Sequence, residues 1–232
     1  LPPAQALDKL RSLVGSRFAH AHLLCAHEDA QLRLSRKGAP SLLRSKAQRE
    51  VAPAAAHDRA KQRWLDIGRP FLVELGISDR EHRLVPTMAR KWRQINKFVE
   101  IIDHALDSAG LKQRDASQPL RVLDFGAGKG YLTFALHDHL THSLGRAAEV
   151  TGVELRADLV ALTEGIARRL QAGGAAAPGL HFREGDVRSF ALPATLDLMI
   201  ALHACDTATD HALHAGIVAQ AALIVAAPCC HK

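Results

Sequence analysis

No apolar run approaches the roughly 20 residues a membrane-spanning helix needs, so nothing here reads as a transmembrane segment. An initiator methionine is missing, and the opening Leu1-Pro2-Pro3-Ala4-Gln5-Ala6-Leu7-Asp8 lacks a signal-peptide pattern, which reads as a trimmed chain. Cysteine is scarce: Cys25, Cys205, Cys229 and Cys230, two of them adjacent, cannot build a disulfide framework, so a reducing cytoplasm is the expected location. Acid is absent between Asp29 and Glu50, while Arg33, Arg36, Lys37, Arg44, Lys46 and Arg49 all fall inside that window. Residues 1–118 carry 21 Lys and Arg against 13 Asp and Glu, and residues 119–232 carry 9 against 11. The basic excess therefore belongs wholly to the front half, which suggests a polyanion-facing appendage on a near-neutral domain. With 232 residues, 47% of them hydrophobic, the chain can bury one full core and a smaller one.

What is present centres on Arg121 to Tyr131, Arg-Val-Leu-Asp-Phe-Gly-Ala-Gly-Lys-Gly-Tyr. Val122 to Phe125 reads as a buried strand with a carboxylate, Asp124, near its end, and Leu132 to Leu136 as a helix start. A strand, a glycine turn and a helix N-terminus form the ligand cradle of open α/β sheets, because the turn needs unusual dihedrals and the backbone must approach a ligand closely. A dinucleotide fingerprint would be G-x-G-x-x-G, but Tyr131 stands where the third glycine belongs. The spacing D-x-G-x-G-x-G resembles motif I of class I S-adenosylmethionine-dependent methyltransferases. That resemblance makes Asp124, Gly126, Ala127, Gly128, Gly130 and Tyr131 candidate cofactor residues. Glu149 to Glu154 reads as the next strand, and a carboxylate at its end can accept both ribose hydroxyls of a nucleoside. Glu184-Gly185-Asp186-Val187 follows a third strand, where such methyltransferases commonly place an acid near the adenine amino group. Asp186 and Val187 are therefore candidates too, although Gly-Asp is also an ordinary turn.

The sequence predicts a short helix over 4–14, then a stretch, 18–24, open to either helix or strand. His20 and His22 alternate there with apolar residues, as on the wet face of a strand; together with His27 they could alternatively bind a metal. Gln31 to Ser35 alternates like an edge strand, broken by Gly38-Ala39-Pro40. The basic stretch around it reads either as a phosphate-tracking arm or as a solvated loop. Helices are expected over 54–67 and 70–75. From Pro86 runs the clearest helix, with Trp92, Ile95, Phe98, Val99, Ile102, Ala105 and Leu106 on one face and Gly110 as its stop. Arg90, Lys91, Arg93 and Lys97 decorate the rest. Helices just upstream of motif I often close over the cofactor in this fold class, so Gln94, Asn96 and Lys97 could meet its methionine end or simply belong to an ordinary basic surface. Strands at 121–125, 149–154, 180–184, 196–202 and 222–227, separated by helices such as 156–170 and 207–218, predict an α/β fold with a doubly wound, mostly parallel sheet. The expected domains are a basic, mainly helical N-terminal appendage (1–85), a connecting helix (86–118) and a cofactor-binding domain (119–232).

In such a sheet ligands bind beyond the carboxyl ends of the strands. The fourth strand runs into His203-Ala204-Cys205-Asp206-Thr207-Ala208-Thr209-Asp210, and the fifth into Pro228-Cys229-Cys230-His231-Lys232. Neighbouring strands would gather His203, Cys205, Asp206, Cys229, Cys230 and His231 around one pocket. These paired motifs, behind Asp-Phe-Gly-Ala-Gly-Lys-Gly-Tyr, resemble the bacterial methyltransferase-32 domain group over roughly residues 86–232. The group is similar to eukaryotic tRNA acceptor-stem 2′-O-methyltransferases, from which this chain departs by Asp206 in place of glycine and by lacking zinc-finger cysteines. In a class I fold a further helix and antiparallel hairpin would complete the sheet after residue 232.

The cluster is open to several chemistries. His203, Asp206 or His231 could deprotonate an acceptor, Cys229 or Cys230 could attack a pyrimidine ring, Cys and His could hold zinc, or the cysteines could simply pack beneath the pocket. The spacing matches no standard Cys-x₂-Cys zinc pattern, and no metal residue is assigned. The expectation is a cytoplasmic S-adenosylmethionine-dependent methyltransferase acting on RNA. The alternatives are a protein or small-molecule methyltransferase, or a non-catalytic RNA-binding module with a vestigial cofactor fold. Oligomeric state is not encoded in any of these features.

Overall fold

The computed structural model describes residues 2–25, 27–35, 38–46, 63–176, 178–202 and 207–227. The chain divides into two compact units, Leu1–Gln62 and Arg63–Lys232.

The first unit opens with α1 (Pro3–Leu13), started by prolines that lack an N–H where a helix has no use for one. It continues as an antiparallel meander of β1 (His20–Leu24), β2 (Glu28–Leu34) and β3 (Pro40–Lys46). The expected mainly helical appendage is thus corrected to a helix followed by a three-stranded sheet. The cross-strand register sets its faces: Ala21, Leu32 and Leu42 share one, and His20, Arg33 and Ser41 the other. Gly38 makes the reversal possible with φ 80, its N–H donating to the Ser35 carbonyl at 2.9 Å. The segment expected as an edge strand is the middle one. Its basic residues do not converge either: Arg33 lies on one face, Arg44 and Lys46 on the other, and Arg44 sits 3.8 Å from Glu28. Arg36, Lys37 and Arg49 lie outside the described residues.

The second unit is built on a five-stranded parallel sheet of β4 (Leu120–Phe125), β5 (Ala148–Glu154), β6 (Leu180–Glu184), β7 (Leu198–Ala201) and β8 (Leu223–Ala226), in the order β6-β5-β4-β7-β8. Helix α2 (Pro70–Glu74), where 70–75 was expected, precedes the sheet in sequence; α4 (Tyr131–Asp138) and α5 (Ala157–Ala172) connect β4 to β5 and β5 to β6, and α6 (Thr207–Val218) connects β7 to β8. Val122, Val150, Leu180 and Ile200 pack with α3 (Ala89–Ser108), α4 and α5, whereas Leu123, Phe125, Val153 and Met199 pack with α6. Burial on both faces explains why these strands read as continuous apolar runs.

Helix α3 enters through a 3₁₀ turn at Pro86–Met88 and ends at Gly110, whose φ of 69 lets Leu111 N–H return to the Leu106 carbonyl at 2.9 Å. Buried polar pairs fix the helix to its surroundings. Asp103 accepts from Lys112 at 2.6 Å and from His139 Nε2 at 2.9 Å, and Asn96 Oδ1 accepts from the Trp64 and Leu65 amides at 3.1 and 3.4 Å. Those amides are therefore not in a helical ladder, which corrects the helix expected over 54–67: residues 63–67 are bends and turns, and 54–62 lie outside the described residues. Among the described residues no helix is long and apolar enough to cross a membrane.

Candidate cofactor site

The strand order reverses between β5-β4 and β4-β7, and the glycine loop leaves β4 at that point. Brackets of backbone hydrogen bonds shape the loop before any ligand is considered. The amides of Gly126 and Ala127 donate to the Val153 carbonyl at 2.9 and 3.1 Å, and Gly130 N–H donates to the Ala127 carbonyl at 2.9 Å. The turn passes through φ 76, 58 and 71 at Gly126, Gly128 and Gly130, a left-handed path that other residues resist.

Above the loop lies a cavity of 560 Å³, within the range of nucleotide-sized ligand sites. Asp124, Gly126, Ala127, Gly128, Tyr131, Glu154, Asp186 and Val187 line it, so eight of the nine expected cofactor residues meet there. Gly130 is the exception. It is buried beneath the loop, and a Cβ on it would sit 2.9 Å from Phe182 and 3.0 Å from Phe134. Its glycine serves packing between helix, loop and β6.

Glu154 is the hinge of the polar lining. One carboxylate oxygen accepts from Gly128 N–H at 2.9 Å and the other from Arg156 N–H and Nε at 3.2 Å each. A carboxylate oxygen carries about two lone-pair sites, so the Arg156 donors fill one oxygen and the oxygen facing Gly128 keeps one acceptor site for the cavity. Asp124 is buried beside the loop, and burial pushes its carboxyl up to about 6 despite the 2.6 Å bond from Thr133 Oγ1. Asp186 is engaged differently. Hydrogen bonds from the Arg188 side chain and backbone N–H hold its carboxyl down at about 2, and both oxygens are taken by that residue. An adenine amino group would therefore have to displace the Arg188 head to reach it.

The strand order sets the chemistry across the cavity: Glu154 and Asp186 stand at the β5 and β6 ends, Leu202 and Ala208 at the β7 side. Lys91 and Lys129 also line the cavity, and Lys91 Nζ lies 5.1 Å over the Tyr131 ring. The α3 residue at the cavity is thus Lys91, and the candidate trio does something else. Gln94 accepts from Lys91 at 2.8 Å, Lys97 pairs with Glu100, and Asn96 holds the 64–65 backbone. This set fits a nucleoside with a charged tail: a hydroxyl acceptor at one end, an open glycine backbone in the middle and cations beside it. At Gly128 a Cβ would meet nothing nearer than the Gly126 carbonyl at 3.9 Å, so the space there belongs to the cavity.

His203, Cys205, Asp206, Cys229, Cys230 and His231 lie outside the described residues. The strands that lead to them are neighbours in parallel register, Ala201 opposite Ala226. Leu202 and Ala208, on either side of residues 203–206, both line the cavity. In the first unit His20 and His22 are exposed on one sheet face, and among the described residues no group of three His, Cys, Asp or Glu could hold a metal.

A parallel sheet with a glycine turn after β4 and an acid ending β5 makes a Rossmann-like, nucleoside-binding class of fold. The chain belongs to the methyltransferase-32 family, whose profile, described as a methyltransferase domain, matches residues 90–232. No curated protein matches the chain. Among solved structures it is similar to the methyltransferase domain of a citrinin polyketide synthase, with 24% identity over 45% of this chain and 26% of that one, TM-score 0.32. An S-adenosylmethionine-bound amino pentose methyltransferase from Micromonospora echinaspora shares 26% identity over 54% of this chain and 50% of that one, TM-score 0.31. A glycopeptide N-methyltransferase complexed with sinefungin shares 27% over 40% and 34%, TM-score 0.26. The chain thus spans at most half the length of these three.

Proposed function

We propose that the chain binds S-adenosylmethionine in the glycine-loop cavity and transfers its methyl group to RNA, as a cytoplasmic enzyme. The observation that carries the cofactor is Glu154, fixed between Gly128 and Arg156 with an acceptor at the cavity. When bound, S-adenosylmethionine supplies an electrophilic methyl group and leaves as S-adenosylhomocysteine. Glu154 would hold a ribose hydroxyl, the Gly126–Gly128 backbone the middle of the ligand, and Lys91 and Lys129 its carboxylate. Asp186 would take the adenine edge once Arg188 moves. Proximity and alignment supply most of the acceleration for such a transfer, so no protein nucleophile is needed.

For the acceptor, two features favour RNA: the surplus of 21 basic over 13 acidic residues in residues 1–118, and the motif similarity to tRNA acceptor-stem enzymes. His203, Asp206 or His231 would then serve as the base that removes the acceptor proton, and Cys205, Cys229 and Cys230 would complete the wall around it. His203→Ala or Asp206→Ala should cost about 10²–10⁴-fold in rate, whereas Cys229→Ser and Cys230→Ser should keep much of it. The deciding experiment offers labelled methyl donor to fractionated RNA, protein and small-molecule extract. Label in RNA supports the proposal, label only in another fraction replaces the acceptor, and no donor binding at all removes the cofactor reading.

A further inference from the structure

The exposed side of α3 carries a cationic strip that leads to the cavity. Between Glu81 and Glu100 the sequence has no acid, yet it places Arg83, Arg90, Lys91, Arg93 and Lys97 there. Arg83 is neutralised by Asp79 and Glu81, and Lys97 pairs with Glu100. Arg90 and Arg93 are exposed, and neither forms an ion pair with a described residue. Positions 90, 93 and 97 recur at the spacing of one helix face, while Trp92, Ile95, Val99 and Ile102 bury the opposite face in the core. Lys91, next in sequence to Arg90, lies at the cavity over Tyr131. The strip and the cavity belong to one compact unit, so the helix holds them in a fixed relation.

We propose that this strip docks the phosphate backbone of the acceptor RNA, delivering the acceptor nucleotide to the cavity lip beside Tyr131. The inference rests on the RNA reading above and deepens it. Three features argue for a nucleic acid strand as the occupant. The charge is of one sign and unneutralised at Arg90 and Arg93. Arginine offers a planar fork suited to phosphate oxygens. Arg90 and Arg93 stand about 4.5 Å apart along the helix axis, close enough to meet neighbouring phosphates of one strand. Among the described residues the meander of the first unit offers no comparable row, since Arg33 faces away from Arg44 and Lys46, and Arg44 sits 3.8 Å from Glu28.

The test is fluorescence anisotropy of a mixed-sequence RNA oligonucleotide across a salt series, using the full chain and its Arg90→Gln/Arg93→Gln variant. Each lost phosphate contact removes about 0.7 from the slope of log affinity against log salt. Two lost contacts should flatten it by about 1.4 and weaken binding roughly 10-fold at about 0.15 M salt. Arg90→Lys/Arg93→Lys should restore the slope, and S-adenosylhomocysteine affinity should stay unchanged in both variants, which also reports that they fold. An unchanged slope in the Gln variant, or loss only in Arg33→Gln/Arg44→Gln/Lys46→Gln, overturns the strip and leaves the RNA reading intact. Failure of the wild-type chain to bind RNA sinks the RNA reading and the strip together. Equal binding of polyglutamate and RNA overturns the choice of a nucleic acid as the occupant.

Discussion

Removing the Glu154 carboxylate is the most informative single perturbation of the cavity. Its oxygens already accept from Gly128 N–H at 2.9 Å and from Arg156 Nε at 3.2 Å, so a ribose would meet an oriented acceptor. A hydrogen bond to a carboxylate contributes a net of about 1.5–3 kcal/mol, and the one acceptor site left on Glu154 Oε2 takes one ribose hydroxyl. Glu154→Ala also frees the Gly128 amide, but that amide faces the cavity and water can satisfy it. A loss of about 1.5–3 kcal/mol is therefore expected, equivalent to roughly 10- to 10²-fold in Kd. Glu154→Gln keeps one acceptor oxygen in the same shape and loses the charge, so about 10-fold is expected. Calorimetric titration with S-adenosylhomocysteine reads both values directly. Glu154→Ala binding within about threefold of wild type would refute the reasoning, because among the described residues the other carboxylates of the lining are Asp124, which is buried, and Asp186, which Arg188 occupies.

Gly128→Val should abolish S-adenosylhomocysteine binding in the same titration, since φ 58 strains a β-branched residue and its side chain would enter the cavity. Arg69→Ala leaves Asp138 buried without the guanidinium that holds it at 2.9 Å, and should lower stability by about 3 kcal/mol in urea unfolding. Arg69→Met/Asp138→Leu should lose less than that single change. Asp124 ionises at about 6 in the fold against 3.8 outside it, so the stability it contributes is complete below about 3.8 and is lost as pH rises to about 6. Asp124→Asn escapes that loss, and should exceed wild type by up to about 3 kcal/mol near pH 7 but by little near pH 4 in ligand-free thermal melts. A gap that does not widen with pH contradicts the raised carboxyl.

The parallel sheet was legible because its strands are buried on both faces and read as apolar runs; 149–154 was expected and Ala148–Glu154 is found. The antiparallel meander was not, because β3 is exposed along its whole length and so carries no hydrophobic period to read. Within the site, Glu154 and the loop could be placed from spacing alone, since strand, turn and helix are local. Lys91 could not. It is one of four cations on α3, and only the position of Tyr131, 40 residues later, distinguishes it. Gly130 shows the converse: its spacing suggests a ligand contact, but its close neighbour is Phe182, 52 residues away in sequence.

How α3 can hold a lysine at a ligand site follows from the buried polar groups beneath it. Burial opposes ionisation of Asp103, yet the hydrogen bonds from Lys112 and His139 outweigh it and keep the carboxyl below its usual range. Burial likewise pulls the His139 pKa down, against the pull of Asp103, so the ring is neutral near pH 7. An ionised Asp103 can only accept, hence His139 Nε2 donates and its Nδ1 is a bare acceptor. That Nδ1 has no partner among the described residues, a cost of about 1–3 kcal/mol. The fold tolerates it because the same imidazole packs edge-on against Trp64, whose amide Asn96 holds from α3. Asp103 and Asn96 lie two turns apart on the helix and fasten it at both places. Between those anchors and the 3₁₀ turn at Pro86–Met88, the segment carrying Arg90, Lys91 and Arg93 has little freedom to tilt. The lip is therefore set in advance of any ligand, and binding does not have to order it.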